Sequence, residues 1–300
     1  MQVLCHFLNK FIKKVAMLFS KFPFAKLSLF ALPTLLSATV HAGTVTVSNY
    51  PLLLLSNAVT QGAEPAQMLL STGDVGHHGS LSPSKVKLVG DSDYVVWFGH
   101  ELEQNLVKTL ENAPNAISLF KMKAFYRLPM RQLDGTPRAD TFDPHIWLDP
   151  ENAKAIVRAL AVVHSHANPE HKGLYADNVK AFHQAMDKAV AQVPKEHKRA
   201  YWAYHDSFAY LERSANLRFA GALTPDHHLS PKASQFRILN NDRPSPYMCL
   251  LSQGAISDGI KNKLGNVGTL IKQEDMSDGT DFVDVWQATV NEIYACIDQK

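Results

Sequence analysis

Asp143-Pro144-His145-Ile146-Trp147-Leu148-Asp149-Pro150 carries more structural information than any other stretch of this chain. Proline fixes φ at positions 144 and 150 and turns each preceding residue away from helical geometry. His145 therefore sits on a stiff loop between two aspartates. Asp149-Pro150 has the form of a helix start, a capping carboxylate followed by proline at the first helical position. The helix it opens carries Ala153, Ile156, Val157, Leu160 and Val163 on one face. Two further loop contexts hold histidine. One is His77-His78 within Gly73-Asp74-Val75-Gly76-His77-His78-Gly79-Ser80-Leu81-Ser82-Pro83, and the other is Tyr204-His205-Asp206-Ser207, directly after an apolar run. Neutral imidazole is the commonest metal ligand, so three distant loop histidines predict one assembled metal site.

Working outward, short apolar runs alternate with helical patterns. Strands are expected at 44–47, 94–98 and 117–120 in the first half, and at 201–204, 217–220, 248–251 and 267–270 in the second. Runs this rich in β-branched and aromatic residues suit parallel sheets covered on both faces. A second helix is expected from Asn168-Pro169 to Val193-Pro194, with Val179, Phe182, Met186, Ala189 and Val193 at helical spacing. At roughly 25 residues it would reach about 37 Å, longer than a connection inside one lobe needs. The fold class that follows is α/β: two lobes, each a mostly parallel sheet flanked by helices, joined by one long rigid helix. The expected boundaries are 43–167 for the first lobe, 168–194 for the linking helix and 195–300 for the second lobe.

Residues 1–42 read as a signal peptide. Lys10, Lys13, Lys14, Lys21 and Lys26 precede or open an apolar stretch that ends in Val40-His41-Ala42, a small-residue cleavage pattern. Translation from Met17 would give a leader of more usual length. The stretch is too short to span a bilayer, and no later run of about 18 apolar residues exists. Export to an oxidising compartment makes a disulfide the preferred reading of Cys249 and Cys296. Paired thiolate ligands are the alternative, but the close cysteine spacing of zinc sites is absent. The formal net charge of +2, much of it in the leader, leaves no basic patch of the kind nucleic acid requires.

With these residues in view, the chain resembles the zinc-binding periplasmic proteins of bacterial ABC importers. The motifs that carry the resemblance are His77-His78-Gly79-Ser80-Leu81-Ser82-Pro83-Ser84, Val95-Val96-Trp97-Phe98-Gly99-His100-Glu101-Leu102-Glu103, the octapeptide around His145, and His205-Asp206-Ser207-Phe208-Ala209-Tyr210-Leu211. The resemblance implies a monomer in the periplasm that binds a divalent zinc ion and passes it to an inner-membrane ABC permease. It implies His77, His145 and His205 as metal ligands, with the fourth position left to Asp275, His78 or water. Three imidazoles favour zinc over manganese, the alternative cargo. Asp143, Asp149 and Asp206 are expected to orient imidazoles, with helix capping as the plain role for Asp149.

The chain departs from the family pattern in three places. Residues 121–141 contain no histidine, where zinc members often have a His- and acid-rich loop. Ile271-Lys272 stands where relatives often have Asp-Pro, with Glu274 and Asp275 slightly later. The segment around Ser252-Gln253-Gly254 lacks an acidic-Pro-Gln pattern. Other readings are weaker on the residues. A hydrolase would also use a histidine-bound zinc with an open position, yet the sequence has neither H-E-x-x-H nor G-x-S-x-G. A structural adhesin with an incidental metal site is a third reading. His164, His166, His171, His183 and His197 lie on or near the two helices and read as surface or core residues. His227 and His228 read as part of a solvated turn, and His100 as lining a cleft.

Overall fold

The computed structural model describes residues 43–74, 81–225 and 228–299. Among these, eight strands form two four-stranded, wholly parallel sheets. The first has the order β2-β1-β3-β4, with β1 Val45–Val47, β2 Gln67–Met68, β3 Tyr94–Trp97 and β4 Ala116–Ser118. The second has the order β6-β5-β7-β8, with β5 Arg199–His205, β6 Leu217–Thr224, β7 Met248–Ser252 and β8 Val267–Ile271. Both sheets thus reverse strand order beside their first strand, the position at which open α/β sheets build ligand sites. Of the eight, β2 escapes the sequence reading. It is only two residues long and has no run of β-branched residues to announce it.

The helices among the described residues are α1 Tyr50–Thr60, α2 Pro83–Asp91, α3 Val107–Leu110, α4 Pro150–Ala167, α5 Lys172–Ala191, α6 Ala233–Asn241, α7 Asp258–Leu264 and α8 Phe282–Ile297. They cover both faces of each sheet, which is why strand residues alternate between cores. In the first sheet Val45, Val47 and Val96 face the main core, whereas Val95 and Trp97 face a smaller one with Leu69, Val89 and Leu110. In the second, Tyr201, Ala203, Cys249 and Leu251 face the main core. Trp202, Met248 and Leu250 pack on Phe236 and Leu239 of α6 and Leu264 of α7. The main core is shared. It runs from β1 and α1 through α4, α5 and α8 to β5 and β7, so the two lobes bury apolar surface against common helices.

Helix α4 begins as its sequence dictates. Asp149 caps it, accepting from the N–H groups of Glu151 and Asn152, and Ala153, Ile156, Val157 and Leu160 are fully buried. Helix α5 is shorter than the sequence reading of 168–194. Asn168 instead ends α4, donating its N–H to the carbonyl of His164, and Pro169–His171 form a single 3-10 turn before α5 starts at Lys172. At 20 residues α5 spans about 30 Å. It lies in the main core along Tyr175, Phe182, Met186 and Ala189, with Phe182 packing on Phe282 of α8. The disulfide expected from the cysteine pair is present: Cys249 of β7 is joined to Cys296 of α8. The 47-residue loop it closes pins the last helix to the second sheet.

Candidate metal centre

The octapeptide around His145 sits where the lobes meet, and second-lobe side chains hold it along its length. Tyr210 donates its hydroxyl to the carbonyl of Asp143 at 3.1 Å. The Trp286 indole N–H donates to the carbonyl of Leu148 at 3.1 Å. Arg213 pairs with Asp149 at 2.8 Å. In the opposite direction, the Trp147 indole N–H reaches the carbonyl of Glu274 at 3.0 Å. Trp147 is fully buried, with Phe98 of the first lobe 4.9 Å away between ring centroids. Proline stiffness fixes this loop locally, and these long-range bonds fix it in space.

His145 is aimed by Asp143. Oδ1 of Asp143 accepts from the His145 backbone N–H at 3.0 Å and lies 2.7 Å from Nδ1. An Nδ1–H donating to that carboxylate leaves Nε2 to face outward from the pair, the orientation that metal-binding histidines adopt. Nε2 is buried and 3.7 Å from Oε2 of Glu274, beyond hydrogen-bond length. His205 ends β5 at the carboxyl edge of the second sheet, and its Nε2 lies 3.6 Å from the same oxygen. The two imidazole centroids are 6.1 Å apart. The ligand-capable atoms of His145, His205 and Glu274 all lie within 4.8 Å of one another. A tetrahedral ion with bonds of about 2.0–2.1 Å separates its donors by roughly 3.3–3.4 Å, so small side-chain shifts would complete this shell. Two imidazoles and one carboxylate form a donor set well matched to zinc.

Burial disfavours charge on His145, but Asp143 and then Glu274 outweigh it and lift the imidazolium to about 10. The same two acids favour positive charge at this ring. His145, His205 and Asp143 line a cavity of about 340 Å³ together with Glu101, Gln104, Arg131 and Thr224.

The two adjacent acids of this loop, Glu274 and Asp275, are placed differently. The carboxylate in the cluster belongs to Glu274, and Asp275 is engaged elsewhere. Oδ2 of Asp275 accepts from the Gly73 N–H at 2.7 Å, and Oδ1 from the Ser277 N–H at 3.1 Å. The next residue, Met276, is buried with φ of 59°, a left-handed conformation unusual for a residue with a long side chain. That twist follows directly after the two acids. Glu274 could have been found in the sequence only as an acid three residues beyond a strand, at the edge where ligands collect.

The structure brings His145 and His205 together, whereas His77 and His78 lie outside the described residues, as does His227. Both oxygens of Asp206 accept from Arg131. His100 is largely exposed, 3.3 Å from Oε2 of Glu101 and apart from the cluster. Its motif has a structural role through Glu103, fully buried, which accepts from the N–H groups of Phe98 and Gly99 and from Nδ2 of Asn49. Burial pushes its carboxyl up to about 8 against the hydrogen bonds that lower it. Gly99 is required there: at φ of 142° a Cβ would come within 2.9 Å of Oγ of Ser118.

Comparison with known proteins places this geometry. The family model described as "ZnuA: Zinc-uptake complex component A periplasmic" matches residues 45–242. The chain is 24% identical over 298 residues to the high-affinity zinc uptake system protein ZnuA of Haemophilus ducreyi (strain 35000HP), covering 87% of this chain and 95% of that protein. It is 23% identical over 289 residues to the protein of the same name from Brucella abortus (strain 2308), covering 79% of this chain and 86% of that one. It resembles a crystal structure of ZnuA with a TM-score of 0.71 at 19% identity, over 86% of this chain and 100% of the other; at that identity the likeness speaks for the fold. On the family match over residues 45–242, which spans the first sheet, the octapeptide and strands β5 and β6 of the second sheet, this chain belongs to the family of periplasmic zinc-uptake complex component A.

Proposed function

We propose that this protein captures zinc in the periplasm and delivers it to an ABC permease in the inner membrane, without catalysing a reaction. The observation that carries this reading is the convergence of His145, His205 and Glu274. His145 stands on the loop between the lobes, while His205 and Glu274 follow second-lobe strands. A bound ion therefore touches both halves, and its presence alters the restraint between them, which is what a membrane partner can sense. His77 completes the ligand set, as the motif order implies. Residues 1–42 export the chain and are removed after about Ala42. The shared core, into which one face of α5 packs, favours small lobe movements over wide closure.

The raised basicity of His145 gives the test its sign. Below about pH 10 the imidazole carries the proton that zinc must displace. Binding at neutral pH therefore releases at least about one proton, the one from this residue, and affinity rises with pH. Calorimetric titration in buffers of different ionisation enthalpy reads both stoichiometry and proton release. The expected outcome is one zinc per chain with at least about one proton released, and manganese at least about a hundredfold weaker. Absence of stoichiometric zinc binding rejects the function, and zinc-dependent ester hydrolysis would move the reading to an enzyme.

A further inference from the structure

Residues 122–142 leave the first lobe after β4 and return at Asp143. Between those points the chain crosses to the second lobe. A short hairpin forms there, with Arg131 bridged to Pro137, the Gln132 N–H donating to the carbonyl of Thr136 and the Arg138 N–H to that of Met130, both at 2.8 Å. The hairpin lies along β6, the edge strand of the second sheet, where the Ala222 N–H donates to the carbonyl of Leu133 at 2.9 Å. Gly221 sits beside it with φ of 123°, where a Cβ would meet Leu239 of α6 and lie 3.3 Å from the Leu133 oxygen. The segment is a strap from one lobe laid across the other, forming one wall of the cavity in front of the metal ligands.

Arg131 fastens the strap. Its guanidinium lies 4.2 Å from the Phe219 ring centroid. Nε donates to Oδ2 of Asp206 at 2.8 Å, and Nη2 to Oδ1 of Asp206 at 2.7 Å. Nη2 also pairs with Oε1 of Glu212 at 2.7 Å. The Asp206 contact is a two-pronged, charge-assisted clamp in a largely buried setting, a geometry that guanidinium makes and ammonium does not. Asp206 is the residue immediately after His205.

We propose that Arg131 is a positioning residue for the metal ligand His205: by clamping Asp206 it holds the end of β5 so that the imidazole stays opposite Glu274, and it thereby slows metal release. This inference rests on the zinc-capture reading. The clamp acts through the neighbouring backbone, since the Arg131 guanidinium grips Asp206 and Glu212 rather than the imidazole. Glu212 supplies an internal control. It binds the same guanidinium but follows the 3-10 turn at Ala209–Leu211, away from the ligand.

The test compares the mature chain with Arg131→Met, Arg131→Lys, Asp206→Asn and Glu212→Gln. Zinc release is timed with excess chelator, and the visible spectrum of the cobalt(II)-loaded protein reports ligand geometry. Thermal unfolding of the metal-free proteins records any general loss of fold. Arg131→Met and Asp206→Asn should release zinc about tenfold faster, equivalent to about 1.4 kcal/mol, and change the cobalt spectrum. Arg131→Lys should not rescue, and Glu212→Gln should keep the wild-type spectrum and release rate within about twofold. If the Arg131 and Asp206 variants match a zinc-binding wild type in rate and spectrum, Arg131 has no positioning role and the zinc reading stands. An effect of Glu212→Gln equal to that of Asp206→Asn likewise reduces the cluster to a fold contact. A wild type that binds no zinc overturns both.

Discussion

His145→Ala is expected to weaken zinc binding by at least about a thousandfold. Zinc bound by small protein sites gains about 10–16 kcal/mol over three or four ligands, so one ligand is worth about 3–4 kcal/mol, or roughly two to three powers of ten. A second loss adds to this. The alanine leaves Asp143 and Glu274 as buried carboxylates facing each other without the ring between them, an arrangement that disfavours at least one ionised acid. Asp143→Asn is expected to cost less, about ten- to a hundredfold, because it loosens the ring without removing the ligand. Calorimetric titration checks both. A His145→Ala protein that titrates like wild type would show that the ion binds elsewhere.

Trp147→Ala should be strongly destabilising. The side chain is fully buried and packs against Phe98, so its truncation is expected to cost about 3–5 kcal/mol in urea unfolding. The more informative variant is Trp147→Phe. It keeps most of the buried ring but deletes the indole N–H that holds the carbonyl of Glu274. Loss of that buried bond is worth about 1–3 kcal/mol, and it frees the backbone that carries the proposed carboxylate ligand. Zinc affinity should then fall about tenfold while the chain remains folded, which unfolding and titration on the same preparation separate. Unchanged affinity in Trp147→Phe would mean that the Glu274 loop is positioned by something other than this bond.

The parts of the structure legible in the sequence are those fixed by local physics. The octapeptide announced a stiff loop and a helix start because proline and aspartate act over one or two residues. The parallel sheets were legible because strands buried on both faces need continuous apolar runs, as in Tyr94-Val95-Val96-Trp97 and Met248-Cys249-Leu250-Leu251. His205 was legible because it ends such a run. The choice between Glu274 and Asp275 was not. Adjacent acids in one loop differ only in which way each is turned, and that is set by the Trp147 bond, the Gly73 bond and the left-handed Met276. All three depend on residues remote in sequence or on a backbone state that methionine rarely adopts. The start of α5 was misplaced for a related reason. Asn168-Pro169 has the form of a helix start, but Asn168 closes the preceding helix instead. Arg131 drew no notice because a lone arginine in a polar loop has no local pattern. Its role exists only once the strap meets β6.

The most direct measurement is an anomalous difference map at the zinc edge, from crystals of the mature chain grown with zinc. The expected result is one dominant peak, within about 2.0–2.2 Å of Nε2 of His145, Nε2 of His205 and a carboxylate oxygen of Glu274. A peak elsewhere, with those two imidazoles unligated, would contradict the assignment of the site and the function built on it.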